Sequence, residues 1–556
     1  MLKKSVILLF FVFVSGGAFS QVIYEHISNT AIYNFMDELA NNKVIELNSV
    51  IKPYSRMFIA GKLLEAEQHK NLLNQRQKEE LAFYLQGYQP EMKYPLSLHS
   101  DYIKKSTQWA GSLNPIGVFY KDRKNTLWVT PILGYEYGRN KNGNYRHSYG
   151  GLAFNAYLGK HLAFYTSLRD NTLTRNLMQP DYFIQEQGVP VKTFSATDIE
   201  FSEARGGITY SWKWGSIGLV KDNIEWGSNE YGANILSGRT PSFAMIKLHL
   251  TPVKWFSFDY FHAWLVSDVV DSTRSYYDGS SFRAVFRPRF MAANMFTFRP
   301  FRNFYASIGN SIVYSDIGVQ AAYLIPFLFY KSVDHTLNAT YHYGDAGQNS
   351  QMFMNVSSRN IKHLHLYGSV FVDELSVRNM FKKGKQRNFI SVKAGARLTD
   401  FPIENTWIGI EYTRSNPLVY QNYFNAVLYE SNSYSLGHYL RDNSDIINLG
   451  VGYKPLRGLE FSLNYDVARH GTDYNYQHLE DTPDLSSSGL PFMNQVIWKE
   501  QKLEFLVQYQ IVNSTYFYFK YRYSNITGEQ AALQKYTPEY YRGKTNTVSF
   551  GFNIGF

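Results

Sequence analysis

Apolar and polar positions alternate with a period of two over most of this chain. Leu459, Phe461, Leu463, Tyr465 and Val467 share one parity, while Glu460, Ser462, Asn464 and Asp466 hold the other. Leu503, Phe505, Val507, Tyr509 and Ile511 repeat the pattern, as do Phe517, Phe519, Tyr521 and Tyr523 against Lys520 and Arg522. Ile390, Val392, Ala394, Ala396 and Leu398 oppose Ser391, Lys393, Gly395 and Arg397. Successive side chains of a strand point to opposite faces, so each segment has one apolar side and one that tolerates charge. The last residues keep the pattern to the carboxylate: Val548, Phe550, Phe552, Ile554 and Phe556 alternate with Ser549, Gly551, Asn553 and Gly555.

Read this way, the chain predicts strands near residues 126–139, 149–160, 161–170, 199–214, 215–227, 242–251, 255–267, 283–299 and 303–315. It predicts more near 351–358, 362–376, 388–400, 405–416, 447–456, 459–471, 500–513, 515–525 and 545–556. The total is about 18, an even number, and tight links alternate with long polar ones, as in outer-membrane barrels.

Residues 29–95 follow a different period. Ile32, Phe35, Met36 and Leu39 have the spacing of one helix face, with Asn29 placed to cap it. Ser55 is placed to cap a second helix with the stripe Ile59, Leu63 and Ala66. Asn74 and Gln77 have capping-box spacing before Leu81, Tyr84, Leu85 and Tyr88. The expected organisation is a signal peptide over 1–20, a helical plug or periplasmic docking segment over 21–110, and an outer-membrane β-barrel over 111–556.

Composition turns the alternation toward a membrane. The 45 Tyr and 40 Phe suit aromatic girdles at two bilayer interfaces. The mean hydropathy of −0.32 reads as soluble, but alternating strands cancel in such an average. Lys3 and Lys4, the apolar run Val6–Val14 and the small residues Ala18 and Ser20 form a secretory signal. No Cys occurs, so disulfides and thiolate metal sites are excluded. Lipid requires every backbone group to be paired, which strands achieve only in a closed barrel. The expected fold class is therefore an all-β transmembrane barrel with a small N-terminal α-helical bundle, in the outer membrane of a Gram-negative cell. The formal charge of +10 falls to +8 without Lys3 and Lys4, which favours anionic partners. In an exported chain this does not indicate nucleic acid.

Several stretches resemble the Wzi-like capsule-assembly outer-membrane family in its Bacteroidetes-type form. They are KDNIEWGSNEYGANILSGRTPSFAMIKL, IGIEYTRSNPLVYQN, YSLGHYLRDNSD and the early PYSRMFIAGKLLEA. The resemblance implies an 18-stranded barrel with helices at its periplasmic end. It also implies a lectin-like, non-catalytic role, in which exported polysaccharide is bound and a capsule or surface glycan is assembled or retained. Terminal Phe556 resembles the final aromatic of bacterial outer-membrane barrels.

Candidate ligand contacts are Trp226, Tyr231 and Arg239 in a linker between strands, and His438, Tyr439 and Arg441 in a long loop. Aromatic faces beside polar groups suit sugar rings, and loops carry function more often than walls do. Arg283, Arg287 and Arg289 share parity, so on a barrel strand they form a basic row facing the lumen. Such a row pairs with an acidic polysaccharide, or with lumenal Glu411, Glu460, Asp466 or Glu504. The row also supports a second reading, an outer-membrane porin or anion-selective channel. His363 and His365 have the spacing of one strand face, which fits a metal site only with a third ligand. No catalytic motif is found, and no catalytic residue, cofactor or metal is expected. The expected partners are outer-membrane lipid, surface or capsular polysaccharide, and a periplasmic partner at the helical segment.

Overall fold

The computed structural model describes residues 21–92, 102–105, 108–177, 181–190, 193–316, 318–338, 348–375, 388–476 and 490–556. The expected signal peptide lies outside the described residues.

Eighteen antiparallel strands close into one barrel. In chain order the first nine are β1 Asn125–Asn140, β2 Gly143–Leu158, β3 Leu162–Thr174, β4 Asp198–Trp212, β5 Gly215–Asp222, β6 Phe243–Val253, β7 Phe256–Leu265, β8 Arg289–Phe301 and β9 Phe304–Ser315. The second nine are β10 Gln348–Ser358, β11 Leu364–Leu375, β12 Asn388–Thr399, β13 Thr406–Ser415, β14 Ser444–Leu456, β15 Leu459–Gly471, β16 Val496–Val512, β17 Thr515–Gly528 and β18 Gly543–Ile554. The seam joins β18 to β1, from Ile554↔Leu133 to Val548↔Arg139. This pairing explains why the alternation runs to the end of the chain. Val548 and Phe550 face outward, while Thr545, Thr547 and Ser549 face the lumen and are buried.

Each expected strand has a counterpart, two of them differ for physical reasons, and one added meander was not expected. The strand expected over 215–227 ends at Asp222, because the chain then turns into the lumen. The strand expected from 283 begins only at Arg289; a small hairpin, Tyr276–Asp278 with Ser281–Arg283, stands before it. The meander 102–105, 109–113 and 116–121 precedes β1 and pairs with its lower half, Val118↔Val129, below the reach of β18. The boundary expected near residue 110 falls inside this meander.

Three helices, α1 Thr30–Asn41, α2 Arg56–Gln68 and α3 Gln75–Gly87, close the short-turn end. Their buried stripes are the predicted ones, Ile32, Phe35, Met36 and Leu39, then Ile59, Leu63 and Ala66, then Leu81 and Tyr84. Ser55 caps α2, and Asn74 with Gln77 forms a complete capping box. Asn29 occupies the N-cap position of α1 but makes no capping bond. It instead donates to Glu25 at 2.8 Å and accepts from the Tyr516 hydroxyl at 2.6 Å. The helices are tied to barrel turns by ion pairs. Arg359 reaches Asp37 at 2.5 Å and Lys454 reaches Glu38 at 3.0 Å, while Arg76 joins Glu38 and Glu80. Short turns of outer-membrane barrels face the periplasm.

The lumen is packed. The chain after β5 folds inward, and Ile51–Lys52, Glu225–Trp226 and Leu236–Ser237 pair as a small sheet inside the barrel. The long loop after β13 also folds inward. Tyr420 donates to the Asn234 carbonyl at 2.7 Å and Tyr429 to the Ile235 carbonyl at 3.0 Å. Leu418, Val419, Val427 and Leu436 join Phe261, Met291, Phe353 and Phe371 of the wall in one buried apolar cluster.

The outer wall carries an apolar band, with Leu152, Leu168, Leu219, Met354 and Ile410 exposed. At β7–β9 the wall is covered. Residues 320–338 lie on its outer face and bury Tyr323 and Tyr330 against Phe258, Tyr260, Phe290 and Tyr314. Asn294 donates to the carbonyls of Pro326 at 2.8 Å and Leu328 at 3.0 Å, and Asn310 accepts from the Tyr330 amide at 2.9 Å. The covering segment thereby satisfies two polar side chains on a face that is otherwise apolar.

Candidate functional site: a lumenal chamber under the outer loops

Inward residues of β1–β4 and β16–β18 line a cavity of about 280 Å³ toward the long-loop end. The period of two places Glu136, His147, Arg169, Glu203, Lys520 and Arg522 on its wall. The roof and far side come from Tyr182, Ile184 and Glu186 of the loop after β3, Arg239 of the linker after β5, Tyr434 of the loop after β13, and Tyr541.

Most charges in the chamber are neutralised internally. Arg169 pairs with Glu203, and Arg522 with Glu500 at 2.8 Å. Glu136 accepts from the hydroxyls of Tyr145 at 2.5 Å and Tyr518 at 3.0 Å, with Lys520 3.9 Å away. Arg239 is a cation left without a carboxylate partner among the described residues. It is 2% exposed, and its Nη2 donates to the Tyr182 carbonyl at 2.6 Å. Its guanidinium lies 5.0 Å from the centre of the Tyr434 ring. Its buried Nε has no partner among the described residues. Burial lowers its pKa to about 10, so it remains a cation at neutral pH. A buried cation beside Tyr182 and Tyr434, in a chamber that Tyr541 also lines, suits an anionic group carried on a ring with an apolar face.

The structure brings together four of the sequence-predicted residues. The inward linker and the loop after β13 meet where the Ser237 amide donates to the Leu436 carbonyl at 2.8 Å, which sets His438, Tyr439 and Arg441 close to Arg239. Arg441 stands at the rim and pairs with Asp181 at 2.8 Å. Tyr439 and His438 are buried, their rings 4.6 Å apart. Burial, reinforced by Lys393 and Arg239, pushes His438 well below the usual histidine range, so it is neutral. Trp226 and Tyr231 lie elsewhere. Trp226 is wedged in the lumenal core between Phe261 at 5.1 Å and Phe353 at 5.8 Å. The ring of Tyr231 lies over Gly409 and Gly450; a Cβ at Gly450 would collide with its hydroxyl, which donates to Asn464 at 3.4 Å.

The expected basic row is not formed. Arg283 and Arg287 lie before β8, outside the wall, and pair with Asp278 at 3.6 Å and Asp316 at 2.7 Å. Only Arg289 enters the barrel, where it donates to the carbonyls of Ala426 and Asn425, both at 2.8 Å, and pairs with Glu430. Shared parity projects side chains to one face only along a continuous strand, and Pro288 separates Arg287 from the strand. Glu411, Asp466 and Glu460, considered as partners for that row, instead engage Lys393, Lys502 and the Trp407 indole. His365 bonds Ser357 at 2.9 Å, while His363 sits in the preceding turn and bonds the Thr399 carbonyl at 2.9 Å. Among the described residues no cluster of three or more His, Asp or Glu is placed to hold a metal.

Sequence reasoning missed the aromatic side of the chamber. The charged wall positions were legible from parity, but Tyr182, Tyr434 and Tyr541 come from loops that obey no repeating pattern.

No family model matches the sequence, and no curated protein matches it. Solved structures do match in fold. Wzi of Escherichia coli is an outer membrane protein involved in group 1 capsule assembly and a carbohydrate-binding β-barrel. It aligns over 97% of this chain and 100% of its own, with 11% identity and a TM-score of 0.55. OccK8 (OprE) of Pseudomonas aeruginosa covers 77% of this chain and 97% of its own at 9% identity, TM-score 0.42. OccAB2 of Acinetobacter baumannii covers 77% and 97% at 8% identity, TM-score 0.41. The fold is that of an outer-membrane β-barrel similar to Wzi.

Proposed function

We propose that this protein is a non-catalytic outer-membrane barrel that binds exported polysaccharide at its outer end and assists capsule or surface-glycan assembly or retention. The observation that carries this reading is Arg239, a buried cation without a carboxylate partner, facing a chamber walled by Tyr182, Tyr434 and Tyr541. An acidic sugar supplies the missing negative charge, and the tyrosine faces accept its C–H side. The likeness in fold to a carbohydrate-binding barrel supports the same reading. In this reading the family is Wzi-like, the signal peptide exports the chain, the wall sits in outer-membrane lipid, and the helical segment is available to a periplasmic partner.

The test is the division of surface polysaccharide between cells and medium. Deleting the gene is expected to shift polysaccharide into the medium. The intact gene should restore the division, and an Arg239→Met, Tyr434→Ala variant should not. An unchanged division on deletion would sink the proposal. The channel reading is tested on the purified barrel in planar bilayers. A lumen filled by two inward loops and three helices predicts no steady open-pore conductance, and a stable open channel would favour transport instead.

A further inference from the structure

Below the lumenal core, helix α2 and the wall from β5 to β9 enclose a second chamber of about 680 Å³. This lies within the roughly 300–1,000 Å³ of ligand pockets. The odd parity of β6 sends Lys247, His249 and Thr251 into it as a ladder. His249 is engaged on both nitrogens, with Asp259 at 2.8 Å and Thr251 at 2.9 Å. Lys247 is not. It is 6% exposed, yet its ammonium makes no hydrogen bond or ion pair among the described residues; its close neighbour is the Tyr24 ring, 4.0 Å away. The other cations there are paired or in water. Lys62 holds Glu65 at 2.8 Å, Arg299 holds Glu46, and Lys254 stands exposed on the β6–β7 turn. The hydroxyl of Tyr54, another lining residue, is buried without a partner. Exposed Trp255 and Phe58 flank the mouth on the short-turn side.

The Lys247 ammonium faces the chamber without an acceptor from the protein among the described residues, so its donors are open to a ligand. The ring of Tyr24 steadies it by a cation–π contact but satisfies none of its three donors. We propose that this chamber is a second binding site, reached from the periplasm, for an anionic sugar residue. Lys247 receives the carboxylate. Tyr24 and Trp255 offer faces to the ring, and Ser216, Ser257 and Asn48 offer hydrogen bonds to its hydroxyls. The site stands on Lys247 and its surroundings and does not depend on the outer chamber.

The experiment is calorimetric titration of the full-length mature barrel, in detergent micelles, with an oligogalacturonate and with a neutral oligosaccharide of equal length. The acidic ligand is expected to bind more tightly than the neutral one, and Lys247→Met to weaken it at least about tenfold. The chain has no Cys, so Phe58→Cys carries a single bulky maleimide at the mouth. The labelled protein should lose this binding, and unlabelled Phe58→Cys should keep it. Because the outer chamber is itself read as an acidic-sugar site, these comparisons are made in an Arg239→Met background, in which binding of the acidic ligand should remain. Equal binding of the two sugars, undiminished affinity in Lys247→Met, or indifference to the label overturns the proposal. Loss of binding in Arg239→Met alone also overturns it and assigns the ligand to the outer chamber. If Lys247→Met does not fold, the labelled and unlabelled Phe58→Cys proteins decide.

Discussion

The two ends of the lumen are closed by different chemistry. At the short-turn end, charged side chains of the helices reach the barrel turns. Arg359 joins Asp37, Asn41 and the Leu47 carbonyl, Glu38 draws in Arg76 and Lys454, and Glu46 takes Arg299 and Arg302. At the long-loop end the closures are aromatic. Phe183 stacks on Tyr536 at 4.1 Å, Trp498 donates to Thr537 at 2.8 Å, and Tyr420 and Tyr429 bond backbone carbonyls of the inward linker. The difference separates a closure held by ion pairs from one held by ring packing and hydroxyls. The helix ion pairs satisfy one another, whereas Arg239 of the inward linker has no carboxylate partner among the described residues.

The largest expected effect falls where the two closures meet. Trp226 pairs through its backbone with Ile51 from the helical side and packs on Phe261 and Phe353 of the wall. Trp226→Ala is expected to cost about 3–5 kcal/mol. It should be read as a fall in the temperature at which the purified barrel loses its folded mobility on gels. A shift matching that of an exposed-residue control would show that the core inside the lumen does not hold the barrel together.

The next effect isolates the ionic end. Burial works to raise the carboxyl of Glu38, but Lys454 and Arg76 outweigh it and hold the group at about 2, below its ordinary 4.5. A depressed carboxyl contributes stability that is fully present above its unfolded value and is lost as pH falls through the folded one. Wild-type stability should therefore drop between about pH 4.5 and 2, and Glu38→Gln should flatten that part of the profile. At neutral pH the same substitution removes one member of a buried pair and should cost about 3 kcal/mol. Thermal unfolding across that pH range checks both. A parallel drop in the variant would mean that other carboxyls carry the acid response.

A smaller effect tests the aromatic end. Tyr420→Phe keeps the ring between Phe371 and Tyr429 and removes only the bond to the Asn234 carbonyl. The expected loss is about 1 kcal/mol, with no change in the pH profile. A loss as large as that of Glu38→Gln would mean that hydroxyls, not ring packing, lock the outer loops.

The same contrast explains what was legible in the sequence. The strands and the helical stripes follow local periods of two and about 3.6, so their positions and inward faces could be read directly. The capping box at Asn74 was legible for the same reason. Asn294 and Asn310 break the apolar parity of β8 and β9 because residues 320–338 cover them, and nothing local in the sequence names that cover. The inward loops carried no period at all. Trp226 and His438 were therefore expected as ligand contacts because they lie in linkers, yet folding inward makes one a core residue and leaves the other buried and neutral. Arg239 was chosen by the same reasoning, and it does line the chamber; its lack of a carboxylate partner is a property of three-dimensional packing.

The smallest expected effect separates arginines that looked equivalent. Arg287 and Asp316 form a pair whose side chains are 37% and 31% exposed, and Arg283 faces Asp278 more openly still. Pairs in such positions contribute no more than about 0.5 kcal/mol, because water and salt screen them. Arg289 is two residues further on, fully buried, and holds two carbonyls of the loop that packs into the lumen. Arg283→Ala and Arg287→Ala should leave unfolding unchanged within about 0.5 kcal/mol. Arg289→Met should free the 425–430 segment from the wall and raise its cleavage by added protease. Equal effects from all three substitutions would restore the idea of one continuous basic row. The expected inequality instead makes Arg289 a bolt for the outer closure and sets it apart from Arg239, which has no carboxylate partner among the described residues.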